Sequence, residues 1–211
     1  YDTKYKFEEN GTYFINKDVA EGDKVIYLTF DCGYENGYTA SILDTLKKHN
    51  AKGVFFVTQS YIRDAKDLVI RMKEEGHLVG NHTITHPNLA KCSTEKVVEE
   101  LTGCANYMKE KTGYSMDPFM RPPEGAYSEK SLQITGDLGY KTILWSMAYL
   151  DWDTANQPGK DYVVNHFTKY HHNGAIPLIH VVSESNMQAL DDVLTMLENE
   201  GYRFASVTEL P

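Results

Sequence analysis

The stretch Val25-Ile26-Tyr27-Leu28-Thr29-Phe30-Asp31-Cys32-Gly33-Tyr34 sets the reading of the whole chain. Its β-branched and aromatic part, residues 25–30, reads as a strand. A turn then leads into residues 39–49, where Ile42, Leu43 and Leu46 recur at helical spacing. The alternation continues outward. Residues 53–57 repeat the strand signal, and residues 64–75 read as a helix with Leu68, Val69 and Met72 on one face. Residues 77–80 form a third short strand, after which Ser93 N-caps a helix that runs to about residue 111 and is ended by Gly113. Phe119 and Met120 precede a Pro-Pro turn, and residues 128–138 are helical with Gly139 closing them. Strand, helix and strand follow at 142–145, 161–171 and 175–181. Ser185, with Gln188 three residues on, reads as a capping box for a last helix to about residue 198, and residues 203–207 close as a final strand. This order implies an α/β fold with a parallel sheet and crossovers. Polar clusters just after several strands favour a barrel, whose chemistry collects at the carboxyl ends of its strands.

Composition narrows the class. A chain of 211 residues is one ordinary domain, and 41% hydrophobic with 24% charged residues is globular rather than disordered composition. Residues 1–24 are polar and turn-rich and read as an N-terminal extension packed on a domain spanning 25–211. They lack the apolar core of a signal peptide, so a secreted or cell-surface protein is expected to have its signal removed or outside this chain. A net charge of −9 and a pI near 5.3 exclude an electrostatic nucleic-acid binder and a polybasic membrane binder. Apolar stretches such as 53–57 fall far short of the roughly 20 residues of a membrane span. Three cysteines cannot all pair. Cys92 and Cys104 bracket a helical segment that would separate them by roughly 18 Å, whereas a disulfide needs Cα atoms within about 7 Å. Both read as free thiols.

Five clusters can carry chemistry. In His82-Thr83-Ile84-Thr85-His86, two imidazoles four residues apart lie on one side of a helical turn and can share a metal ion. Thr83 stands where a zincin has its glutamate, so a base for hydrolysis must come from elsewhere; the plain alternative is a surface loop before Pro87. Asp31, just after the first strand, is either a turn former or that base, and Cys32 is either a thiolate ligand or a nucleophile. Gly33, Gly37, Tyr34 and Tyr38 make a flexible aromatic loop suited to stacking on a sugar ring. In Arg121-Pro122-Pro123-Glu124-Gly125 the double proline fixes the backbone, so the next amide, at Glu124, can serve an oxyanion and Arg121 can orient a carboxylate. Asp151-Trp152 and Leu178-Ile179-His180 complete the set. A His in such a strand is commonly a satisfied core residue, but paired with an acid such as Asp151 it holds a raised pKa and acts as general acid. His166, His171 and His172 read as solvated helix-end residues.

Each cluster is weak alone; their order is not. Thr29 to Gly33, His82 to His86, Arg121 to Gly125, Asp151-Trp152 and Leu178 to His180 resemble the five motifs of the polysaccharide deacetylase (NodB-homology) family, the fourth family of carbohydrate esterases. The resemblance covers roughly residues 25–208. The run from Thr29 to Thr39 is similar to the branch containing spore-cortex muramic acid de-N-acetylases. The resemblance implies a distorted (β/α)7 barrel and metal-assisted removal of an N-acetyl group from a cell-wall amino sugar in peptidoglycan. It implies Asp31 as general base, His82 and His86 as ligands of a divalent ion, usually zinc, and Arg121 orienting Asp31. The Glu124 amide with the metal would hold the oxyanion, and Asp151 would tune His180 as general acid. Trp152 and Leu178 would line the acetyl pocket.

Three departures stand out. Cys32 replaces the aspartate that is the usual third metal ligand; it would either make a His₂Cys zinc site or point away. Ala148 stands where many members have the first Asp of their Asp-Trp motif. Glu124 cannot grip a lactyl carboxylate, so Arg63 or a lysine would have to. The expected activity is therefore de-N-acetylation of N-acetylmuramic acid. The alternatives are N-acetylglucosamine in peptidoglycan or chitin-like oligomers, a cysteine hydrolase built on Cys32, and a catalytically silent glycan binder.

Overall fold

The computed structural model describes residues 6–211. In chain order the elements are β1 (Thr12–Tyr13), β2 (Val25–Ile26), β3 (Thr29–Cys32), α1 (Thr39–Lys48), β4 (Val54–Val57), α2 (Gln59–Asp64), α3 (Lys66–Glu74) and β5 (Leu78–Asn81). They continue with α4 (Thr94–Thr112), β6 (Phe119–Met120), α5 (Glu129–Asp137), β7 (Lys141–Ile143), α6 (Lys160–Tyr170), β8 (Leu178–His180), α7 (Glu184–Asn199) and β9 (Arg203–Phe204). Seven strands pair in parallel in the order β1-β7-β6-β5-β4-β3-β8, and β2 pairs with β9 in a small second sheet. Short bridges, Ile15 to Ala175 and Met147 to Pro177, bring the two ends of the curled sheet together. The result is the expected α/β architecture, a distorted (β/α)7 barrel.

Strand parity divides the core, because successive side chains point to opposite faces. Val54 and Phe56 point into the barrel with Tyr27, Phe119, Ile143 and Ile176. Phe55 and Val57 point outward with Phe30 and Cys32 against Ile42, Leu46, Tyr61 and Val69 of the helices. Phe30 and Phe55 stack at 4.7 Å.

Several elements differ from the sequence reading. The 25–30 run divides: Val25 and Ile26 join β9, while the chain re-enters the main sheet at Thr29 and keeps pairing through Cys32. Residues 59–75 make two helices, the first capped by Thr58 Oγ1, which accepts from the Tyr61 amide at 3.3 Å. The N-cap of α7 is Ser183 rather than Ser185: Ser183 Oγ accepts from the Asn186 amide at 3.0 Å, and Ser185 Oγ accepts from the Gly159 amide. The 175–181 run narrows to β8, since Pro177 cannot donate to the ladder. Only Arg203 and Phe204 of the last run pair as a strand. Thr12 and Tyr13, in the N-terminal extension, form the edge strand β1. Ser93 and Gly113, at φ +78°, bound α4 as expected.

A Cβ on Gly80 would lie 2.7 Å from the Phe119 carbonyl oxygen and 2.8 Å from the Phe56 ring. Gly80→Ala should therefore destabilise the fold by about 1–3 kcal/mol, read as a lower denaturation midpoint at unchanged m-value.

Candidate active site

Asp31 is the penultimate residue of β3, His82 follows β5, Arg121 follows β6, Trp145 follows β7 and His180 ends β8. All but Arg121 line one cleft of about 960 Å³ at the carboxyl ends of the strands.

Arg121 lies fully buried beneath it. A buried guanidinium is tolerated only when its donors are matched. Nε donates to the Ile143 carbonyl at 2.8 Å, Nη2 to the Leu144 carbonyl at 2.8 Å and Nη1 to Asp31 Oδ1 at 3.0 Å. Phe56 and Trp145 flank the plane at 4.7 and 5.6 Å. Two backbone carbonyls thus fix the fork, and the fork fixes the carboxylate. Burial acts to raise the Asp31 pKa, but the charge of Arg121, with His82 and His180, outweighs it and holds the carboxyl below its usual range. Its Oδ2 faces His82 Nε2 at 3.7 Å and His180 Nε2 at 3.9 Å.

The two imidazoles are shifted in opposite directions. His82 Nδ1 lies 2.7 Å from the Arg121 carbonyl, which only accepts, so Nδ1 carries the proton and Nε2 presents a lone pair. Burial lowers the His82 pKa to about 4. Burial acts on His180 in the same direction, but the hydrogen bond and charge of Asp151, with Asp31, raise its pKa above the ordinary value. Asp151 Oδ1 accepts from His180 Nδ1 at 2.7 Å, and Oδ2 accepts from the His180 amide and from Asn186 Nδ2, each at 2.8 Å. Asn186 Oδ1 in turn accepts from the Tyr149 hydroxyl at 2.5 Å. Nothing in the sequence singles out Asn186, which arrives from the first turn of α7.

His82 to His86 is not a helical turn. Thr83 and His86 have φ of +74° and +58°, a left-handed geometry that needs outside support. Glu100, fully buried in α4, supplies it: Oε2 accepts from the Ile84 and Thr85 amides at 2.8 Å and Oε1 from the Thr85 hydroxyl at 2.6 Å. Asn81 Oδ1 accepts from the Thr83 amide at 2.9 Å. The loop still brings the rings of His82 and His86 together, with centroids 4.9 Å apart.

Other expected residues divide. Tyr34, Glu124, Trp152 and Leu178 line the cleft, as do Ala148 and the unforeseen Trp145 and Tyr149. Glu124 has φ +59°, and a Cβ on the neighbouring Gly125 would meet the Trp145 ring at 2.5 Å. Tyr38 stands at the N-cap of α1 and is not among the residues that line the cleft. Arg63 is exposed, pairs with Asp64 at 2.7 Å and is not among the residues that line the cleft. Cys32 is the larger correction. Strand β3 continues through it, so parity turns its thiol away from Asp31 into the helix-facing core, where it is fully buried. Burial, with the charges of Asp31 and Glu35, pushes its pKa well above the ordinary thiol value. It is neither ligand nor activated nucleophile there. Among the described residues no three His, Cys, Asp or Glu side chains are grouped to hold a metal ion. Cys92 and Cys104 are free thiols.

The polysaccharide deacetylase family profile matches residues 18–143. The chain belongs to the polysaccharide deacetylase family. The peptidoglycan-N-acetylmuramic acid deacetylase PdaA of Bacillus subtilis (strain 168) is 46% identical over 188 residues, covering 89% of this chain and 72% of that protein. The peptidoglycan-N-acetylglucosamine deacetylase PgdA of Listeria monocytogenes is 37% identical over 191 residues, 90% of this chain and 40% of that longer protein. The solved structure of B. subtilis PdaA, a family 4 carbohydrate esterase, superposes with a TM-score of 0.91 at 43% identity, covering 97% of this deacetylase-family chain and 86% of that one. A family pseudoenzyme from Bacillus anthracis superposes at 0.84 with 27% identity, covering 94% and 68%.

Asp151→Asn should lower the titration midpoint of His180, followed by NMR of the imidazole, because the charge that favours the protonated ring is removed. Cys32→Ala should lower stability by about 1–2 kcal/mol, read as a lower midpoint in chemical denaturation.

Proposed function

We propose that this protein is a peptidoglycan de-N-acetylase that hydrolyses the N-acetyl amide of N-acetylmuramic acid in cell-wall glycan, outside the cell membrane. The observation that carries the reading is the carboxylate of Asp31 facing two imidazoles of opposite character across one aromatic cleft. Amide hydrolysis needs a base for water and a separate acid for the amine. Asp31, kept ionised by Arg121, takes a proton from water at Oδ2 as the water oxygen attacks the acetyl carbon. The Glu124 amide donates to the oxygen that gains charge. His180, protonated at Nε2 and held by Asp151, delivers that proton to the leaving nitrogen; the C–N bond breaks, giving acetate and a free amine. Leu178 and Trp152 line the pocket that receives the acetyl methyl.

His82 and His86 would hold a divalent ion. The lone pair of His82 Nε2, beside the His86 ring, is the donor type zinc takes, and Cys32, turned into the core, would not join it. A bound ion would polarise the acetyl carbonyl. No helix among the described residues is long and apolar enough to cross a membrane.

Similarity to PdaA supports muramic acid over glucosamine. The wild-type protein should release acetate from muramic acid-containing glycans and much less from chitin oligomers; equal turnover on both would move the assignment to N-acetylglucosamine, and none on either, across added zinc, cobalt, manganese and magnesium, would leave a silent binder. His180→Ala should lower kcat about 10²–10⁴-fold. Activity should fall as pH rises through the raised His180 pKa, and Asp151→Asn should move that alkaline limb to lower pH.

A further inference from the structure

An acidic protein working on a glycan needs a grip that is not electrostatic, and the surface carries one. Six large hydrophobic side chains are exposed among the described residues. Tyr34 and Trp152 line the cleft, Leu150 lies in the loop between Tyr149 and Trp152, and Tyr162 and Tyr170 stand on α6; only Leu138 lies elsewhere. A clustered apolar patch on a soluble surface marks a binding site more often than scattered residues do.

The cluster is continuous with the cleft. Tyr149 forms part of the cleft wall, and its ring lies 6.1 Å from Tyr162 and 4.7 Å from His166. His166 lies 4.7 Å from Tyr170. Tyr162, His166 and Tyr170 are spaced by four residues on α6, a row extending about 12 Å along the helix. Val163 and Phe167, on the neighbouring face of α6, are buried in the core, whereas Tyr162 and Tyr170 are exposed and do not build it. Lys169 Nζ lies 5.2 Å over the Tyr170 ring.

We propose that this stripe, from Tyr149 along Tyr162, His166 and Tyr170, is an extended binding surface for sugar residues neighbouring the one that is deacetylated, on the same glycan strand. The proposal rests on the deacetylase reading for the identity of the strand. Tyrosine combines an apolar ring with a hydroxyl, matching a sugar's C–H face and its hydroxyl rim. A chain of net charge −9 gains more from such contacts than from a charged partner. The stripe begins where the cleft ends, so a strand lying in the cleft continues onto it.

The test uses Tyr162→Ala/Tyr170→Ala in the intact chain. Both rings are about half exposed, 49% and 50%, so the fold should hold, checked by an unchanged melting curve. Co-sedimentation with insoluble peptidoglycan should weaken about tenfold, and KM on long strands should rise about tenfold, with kcat and short-oligomer kinetics unchanged. Tyr162→Phe/Tyr170→Phe should restore most of the binding. Wall binding equal to wild type, equal losses on short and long substrates, or a wild-type dimer that the double variant dissolves would overturn the stripe. Absence of acetate release by the wild type would overturn the deacetylase reading alone, because co-sedimentation still decides the stripe.

Discussion

Arg121 is the constraint around which the cleft is arranged. A guanidinium with no exposure must find partners for a rigid fork of donors, and here they are the carbonyls at the end of β7 and the carboxylate at the end of β3. Its own carbonyl accepts the Nδ1 proton of His82 after β5. One residue therefore ties three strand ends together, orients Asp31 and selects the His82 tautomer. Phe56 and Trp145 flank its guanidinium at 4.7 and 5.6 Å.

The contrast between His82 and His180 follows from what sits on each ring's far nitrogen. Burial of His82 outweighs the support that the Asp31 charge and the accepting Arg121 carbonyl give to a protonated ring, and lowers its pKa to about 4. A carboxylate accepts from His180, and its charge outweighs the same burial. Two imidazoles at nearly equal distance from Asp31 Oδ2 are thereby made suited to different tasks, a lone-pair donor and a proton donor. Asn186 steadies the second arrangement by filling the remaining position on Asp151.

The histidine loop shows how far such a site depends on its surroundings. Left-handed backbone at Thr83 and His86 persists because the buried carboxylate of Glu100 binds the amides between them. Gly103 of the same helix leaves room for Ile84, since a Cβ there would lie 2.4 Å from its Cδ1. The same helix thus shapes both the polar and the apolar side of the loop.

The sequence alone carried the strand and helix alternation and the order of polar residues after the strands. Both are local: hydrophobic period marks each element, and side chains just past a strand must lie at its carboxyl end. Asp31, His82, Arg121 and His180 were legible for that reason. The fate of Cys32 was not, because residues 25–30 looked like one strand ending at Phe30, and only pairing with β4 carries β3 on to Cys32 and turns its thiol outward. Glu100, Asn81 and Asn186 were equally hidden, since a buried acceptor or donor has meaning only once a distant segment is laid against it. Tertiary structure decided those matters because parity, burial and hydrogen-bond partnership belong to pairs of segments and not to any single stretch of chain.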